Sequence, residues 1–213
     1  MDLTGPVDGV SADASISLLR PEMIYMLVAV GYLVQLILFF ALNLRGGYSP
    51  VTHAVSDYGV GPTKHLFNVY GLVGCAAAVL LVVALLVDGR FPMRGSIYLA
   101  IVAALRVGVL AFPTDLEGQK LTRVGKLHYL FAIASFALLY MAIDVLHPAA
   151  VTLFAQTPVT VLTALKWVVT WSLIGVVVCL APPLRKIFGL VERIFLLSTM
   201  MWLGMFALVA AGV

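Results

Sequence analysis

Arg106 is the one Asp, Glu, Lys or Arg between Gly95 and Phe112, and it stands six residues before the Phe112-Pro113 step. An ionisable group held among apolar residues of a membrane helix costs several kcal/mol unless it is paired or solvated, so its partner decides its role. At 1.5 Å per residue Arg106 lies ~9 Å inside the end of its run. The carboxylates nearest to it in depth are Asp57 and Asp115. Ser56, His128, Glu192 and Arg193 fall at the same boundary, each beside the end of an apolar run.

Three chemistries fit this set. In the first, Arg106 pairs with Asp57 or Asp115 and pins two connections to the helices, as a scaffold with an internal ion-pair network would. In the second, Arg106 and Arg193 hold an anion such as a phosphate, which the guanidinium fork suits. Asp57 and Asp115 then orient the two arginines, and Ser56 and His128 add hydrogen bonds. In the third, His53, His65 and His128 join Asp57 and Asp115 as nitrogen and oxygen ligands for zinc with an open position. Asp57, Asp115 and His128 would then be the catalytic groups of a membrane-embedded hydrolase acting on a lipid or an amide. No His-Glu-x-x-His run is present, so such a site must be assembled from three separate connections. Plainer roles exist for single residues: His53 and His65 as interfacial histidines, and His128 as a hydrogen-bonding group at a helix start. Asp144 and His147 read as a polar pair at a helix end, and Gln35 and Asn43 as interhelical hydrogen-bonding groups.

The elements that carry these residues follow from composition. Of 213 residues, 62% are hydrophobic and 11% charged, and the mean hydropathy is +1.09. A soluble domain carries roughly 25% charged residues, so this chain reads as an integral membrane protein. The net charge of +3 comes from scattered Lys and Arg, which gives no footprint for nucleic acid. Cys75 and Cys179 lie in apolar runs and read as buried thiols.

Six runs are long enough to cross a bilayer: Met23 to Leu44, Leu66 to Val87, Gly95 to Phe112, Leu127 to Leu146, Val161 to Ala181 and Ile194 to Val213. The expected fold is all-α, a polytopic six-helix bundle over residues 21–213, preceded by a flexible polar tail over residues 1–20. The first connection, around Ser49-Pro50 to Gly59, reads as a short helix at the interface with His53 and Asp57 on one face at i, i+4. The stretch from His147 to Thr160 reads as a connection in the headgroup region, with Lys166, Trp167 and Trp171 anchoring the start of the fifth helix. Ser96, Ala100, Ala104 and Gly108 form a small-residue stripe that predicts a central position for the third helix, with Gly74 and Ala78 of the second helix as a matching stripe.

An even number of spans puts both termini on one side. Arg45, Lys64, Lys120, Arg123, Lys126, Arg185, Lys186 and Arg193 flank the odd connections, against Arg20, Arg90 and Arg94 on the other side, with Lys166 a marginal addition. The positive-inside rule then predicts a multi-pass protein of the cell membrane with extracytoplasmic termini.

The motifs Tyr48-Ser49-Pro50 with Val55-Ser56-Asp57-Tyr58-Gly59, Phe112-Pro113-Thr114-Asp115 with Gly125 and His128, and Gly189-Leu190-Val191-Glu192-Arg193 occur in this order on one membrane face. Over Asn43 to Phe206 the chain resembles the six-helix prokaryotic membrane proteins grouped as domain-of-unknown-function family 998. The resemblance implies a six-helix bundle with signature residues at Ser56, Asp57, Asp115, His128 and Arg193. It also implies variability at His53, which counts against that residue as a ligand. A looser similarity to membrane hydrolases that use Ser, Asp and several His keeps the zinc reading open, although their closely spaced histidines are missing here. The expected function is a polar pocket at one leaflet boundary that takes a lipid headgroup or a small anionic ligand. Its expected partners are membrane lipids.

Overall fold

The computed structural model describes residues 20–45, 47–116 and 119–212. The expected N-terminal tail, Arg20 excepted, lies outside them. Six helices long and apolar enough to span a membrane account for most of the described chain, with no strand among the described residues. They are α1 (Pro21–Arg45), α2 (Lys64–Asp88), α3 (Met93–Ala111), α4 (Arg123–Leu153), α5 (Gln156–Val178) and α6 (Phe188–Ala210). Within a bilayer the backbone must satisfy its own hydrogen bonds, which is why each apolar run closes into a helix.

The helix ends follow local rules. Pro21 and Glu22 open α1, where a missing N–H is harmless and a negative charge meets the positive end of the helix dipole. Gly89, at φ +69°, closes α2 in the left-handed conformation. At α4 the Thr122 hydroxyl accepts from the Gly125 N–H at 3.1 Å. The first connection ends in two short 3-10 helices, Val55–Gly59 and Gly61–Thr63, and a third, Pro182–Ile187, leads into α6.

Consecutive helices pack against one another, and α1 closes the bundle against α6. On the side of the chain ends, Tyr25 meets Phe91 and Phe206 edge-on at centroid distances of 6.5 and 6.4 Å. The start of α1, the second connection and the end of α6 therefore share one face of the molecule. The other face is built from the first, third and fifth connections. Between α4 and α5 the packing is the sparsest of any consecutive pair.

Several expectations about the elements need correction. The central helix is α6 and not α3: 61% of the membrane-length window of α6 is buried, against 28% for α3. Ala100 and Ala104 of the small-residue stripe face outward, and the packed face of α3 runs through Gly95, Ser96, Leu99, Val102 and Ala103. The geometric reason is that an i, i+4 row drifts around a helix of 3.6 residues per turn, so its ends lie about 120° apart over twelve residues. Arg106 continues the packed face, one turn beyond Val102 and Ala103.

The His147 to Thr160 stretch is mostly helical. α4 runs through Pro148 to Leu153, and Phe154-Ala155 alone separate it from α5. Proline removes one backbone bond, while the same turns bury Leu146, His147 and Ala150 against neighbouring helices. Asp144 and His147 consequently lie well inside α4 and not at its end. They face α5, where Lys166 meets Asp144 at 2.7 Å and the Thr163 hydroxyl meets His147 Nε2 at 3.3 Å. Lys166, Trp167 and Trp171 sit in the middle of α5 instead of at its start. Finally, His53 precedes the 3-10 helix and does not share a helical face with Asp57.

Candidate functional site

The start of α6 and the first connection are bonded into one unit. A side chain at Gly189 would collide with the backbone carbonyl of His53, so the absence of one lets the connection lie directly on the helix. The Leu190 N–H donates to the Val51 carbonyl at 3.1 Å. One turn on, Glu192 accepts the Val55 N–H at 2.7 Å through Oε2. Arg193 then spends its guanidinium on this unit. Nε donates to Asn43 Oδ1 at 2.6 Å and Nη2 to the Tyr58 hydroxyl at 3.0 Å. Nη1 donates to the carbonyls of Pro50 at 2.9 Å, His53 at 2.6 Å and Gly189 at 3.0 Å. This Gly-Leu-Val-Glu-Arg turn is thus the dock for the Tyr-Ser-Pro and Val-Ser-Asp-Tyr-Gly segment.

The third connection is tied in a similar way. Asp115 accepts the Thr122 N–H at 2.6 Å and the Thr122 hydroxyl at 3.0 Å, and its carboxylate lies against Gly125, where a Cβ would collide with it. These contacts organise the start of α4. In the second turn of that helix, His128 is 2% exposed and its Nδ1 donates to the Phe112 carbonyl at 2.8 Å. A carbonyl can only accept, so Nδ1 carries a proton, and the ring has a second backbone partner in Val109.

Beneath these two tied connections lies a cavity of about 70 Å³ whose polar lining is Ser56, Tyr70, Arg106, His128, Ser135 and Glu192. A second cavity of about 150 Å³ shares Ser56, His128, Ala132, Phe136 and Glu192 with it. From there it continues between α4 and α5 along apolar residues including Ile133, Leu173, Val176 and Val177. A third, of about 40 Å³, also touches Ser56 and His128 and leads past Asn68 and Thr114.

Arg106 has neither a hydrogen bond nor an ion pair among the described residues, whose ion pairs are Arg90–Asp88 and Lys166–Asp144. Part of its guanidinium reaches inward, where Nη1 and the Gln35 amide both crowd the point that a Gly74 Cβ would occupy. The Gln35 amide is fully buried and makes no hydrogen bond to the described residues, so the expectation that it joins helices by such bonds does not hold. Asn43, by contrast, links α1 to Arg193 of α6.

The family model described as "Protein of unknown function (DUF998)" matches residues 27–209 of the chain. The chain belongs to this family. No curated protein and no solved structure matches it. The match begins inside α1, so membership covers more of this DUF998 protein than the stretch from Asn43 to Phe206 that carries the resemblance. In this DUF998 chain the first and third motifs are bonded to each other and the second within itself, and the groups left facing the cavity are Ser56, His128 and Glu192 from the motifs with Arg106 from α3.

The expected site residues therefore separate. Ser56, Arg106 and His128 come together around the cavity. Asp57 is buried in the 3-10 helix and lines none of the three cavities, and Asp115 is engaged with Thr122. Asp115 forms no ion pair with Arg106, because its connection turns the carboxylate toward Thr122. Arg193 is a tie of the first connection, with its donors directed to protein acceptors. His53 stacks beside Tyr48 at 5.2 Å and lends its carbonyl to Arg193, while His65 is exposed on the first turn of α2. Among the described residues no three His, Cys, Asp or Glu side chains are grouped to hold a metal, so the five expected zinc ligands do not converge. Glu192, Tyr70 and Ser135 line the cavity without having been singled out for a role. The one sequence signal for Glu192 is its place beside Arg193 at the start of an apolar run.

Proposed function

We propose that this integral membrane protein binds a lipid headgroup or a small anionic ligand in the cavity under its first and third connections. The observation that carries the reading is Arg106. Its guanidinium borders a cavity, lies within a membrane-spanning helix, and has no hydrogen-bonding or ion-pairing partner among the described residues. A cation in that setting is stabilised by an anion or by water. Ser56, Ser135 and Tyr70 supply hydroxyls, and His128 supplies an imidazole.

The test is native mass spectrometry of the detergent-purified protein. The wild type is expected to carry phospholipid, and Arg106→Ala to lose at least about 90% of that retention while keeping its helical circular dichroism, since about 1.4 kcal/mol of lost binding is tenfold. Equal retention by the two proteins would overturn the reading.

A further inference from the structure

The cavity is bordered by a basic and an acidic side chain that do not close on each other. Glu192 is 5% exposed, borders the same cavity as Arg106, and is not within ion-pairing distance of it. Its Oε2 is taken by the Val55 N–H, and Oε1 has no hydrogen bond among the described residues. In a low-dielectric pocket two unlike charges attract strongly. Each nevertheless keeps free hydrogen-bonding capacity toward the space between them. A ligand that bridges them must carry an anionic and a cationic group a few bonds apart. The cavity shares Ser56, His128, Ala132, Phe136 and Glu192 with the apolar groove between α4 and α5, the loosest seam of the bundle.

We infer that the ligand is a phospholipid with a zwitterionic amino-alcohol head, entering sideways from the bilayer between α4 and α5. Its phosphate lies at Arg106, its ammonium group at Glu192, and an acyl chain along the α4–α5 groove. A primary ammonium donates to Oε1 of Glu192 and to the Ser56 and Ser135 hydroxyls. The apolar lining of the second cavity, which shares five residues with the first, distinguishes a lipid from a free phosphomonoester, which would leave that groove unused.

This inference rests on the cavity reading above, and its test separates the two. Delipidated full-length protein is titrated with mixed micelles of phosphatidylethanolamine or of phosphatidylglycerol, and bound lipid is counted by native mass spectrometry. Phosphatidylethanolamine is expected to bind about tenfold more tightly. Glu192→Gln, whose side-chain carbonyl can still accept from Val55, is expected to bring the two lipids to within about twofold of each other. Ala137→Trp, at an outward position of the groove, is expected to weaken phosphatidylethanolamine binding about tenfold and leave the melting temperature unchanged. Wild-type protein that binds phosphatidylglycerol as well as phosphatidylethanolamine overturns the zwitterion and leaves the cavity reading standing. Wild-type protein that binds neither lipid overturns the zwitterion and, with it, the lipid-headgroup form of the cavity reading.

Discussion

Arg193 at the start of α6 and Arg106 near the end of α3 approach the space under the first connection from two sides. Around Arg193 every guanidinium nitrogen has an acceptor, drawn from Asn43, Pro50, His53, Tyr58 and Gly189. Around Arg106 there is a cavity and no acceptor among the described residues. The same side chain is a structural tie in one place and an available charge in the other. Neither residue type nor depth in the membrane distinguishes them. The difference lies in whether the chain folds back to bring carbonyls within reach.

Substitutions at these two regions are expected to behave in opposite ways, and the largest effect belongs to Arg193. Arg193→Ala leaves several carbonyl and side-chain acceptors without their shared donor, at a cost of roughly 3 kcal/mol or more. It should sharply lower the melting temperature in detergent and expose the first connection to protease. Arg193→Lys should rescue little, because a single ammonium cannot span the acceptors that a planar fork reaches. Next comes Gly189→Ala, where the new Cβ meets the His53 backbone; overpacking of this kind costs about 1–3 kcal/mol. A melting temperature equal to wild type would mean that the connection is not seated on α6 as described.

Asp115→Ala removes the acceptor for Thr122 at the start of α4, a loss of about 1 kcal/mol visible as earlier thermal unfolding. Asp144→Asn breaks the pair with Lys166, which sits in the middle of α5. A lysine left without its carboxylate inside a membrane-spanning helix costs about 1 kcal/mol or more, and a lower melting temperature is expected. The smallest loss is expected for Arg106→Ala. Removing a charge that no described residue compensates should leave stability unchanged or raise it, even as lipid retention falls. A large drop in stability at Arg106 would erase the contrast with Arg193 and return it to the role of an internal tie.

Much of the fold was legible before any coordinates. An apolar run of membrane length must be helical, because lipid offers its backbone no hydrogen-bonding partner. The lateral order and the facing of the helices were not legible. Lipid tails and protein interiors are similarly apolar, so hydropathy does not say which side of α3 meets a neighbour. The outward-facing Ala100 and Ala104 show this directly. The helical continuation through Pro148 was missed because a proline and a histidine read as an ending, whereas the packing of Leu146 and Ala150 keeps the helix intact.

For the candidate site, residue type and position sufficed to gather Ser56, Arg106 and His128 at a common depth. They did not sort partners, since Asp57 and Asp115 are as close to Arg106 in depth as Glu192 is, yet only Glu192 shares its cavity. Chain composition by itself thus determined six membrane-spanning helices and one face rich in polar groups, because bilayer thickness and the energy of burying charge act on each segment separately. Tertiary structure alone decided which arginine is saturated and which is open. Hydrogen bonding is short-ranged and directional, so it depends on how distant segments meet.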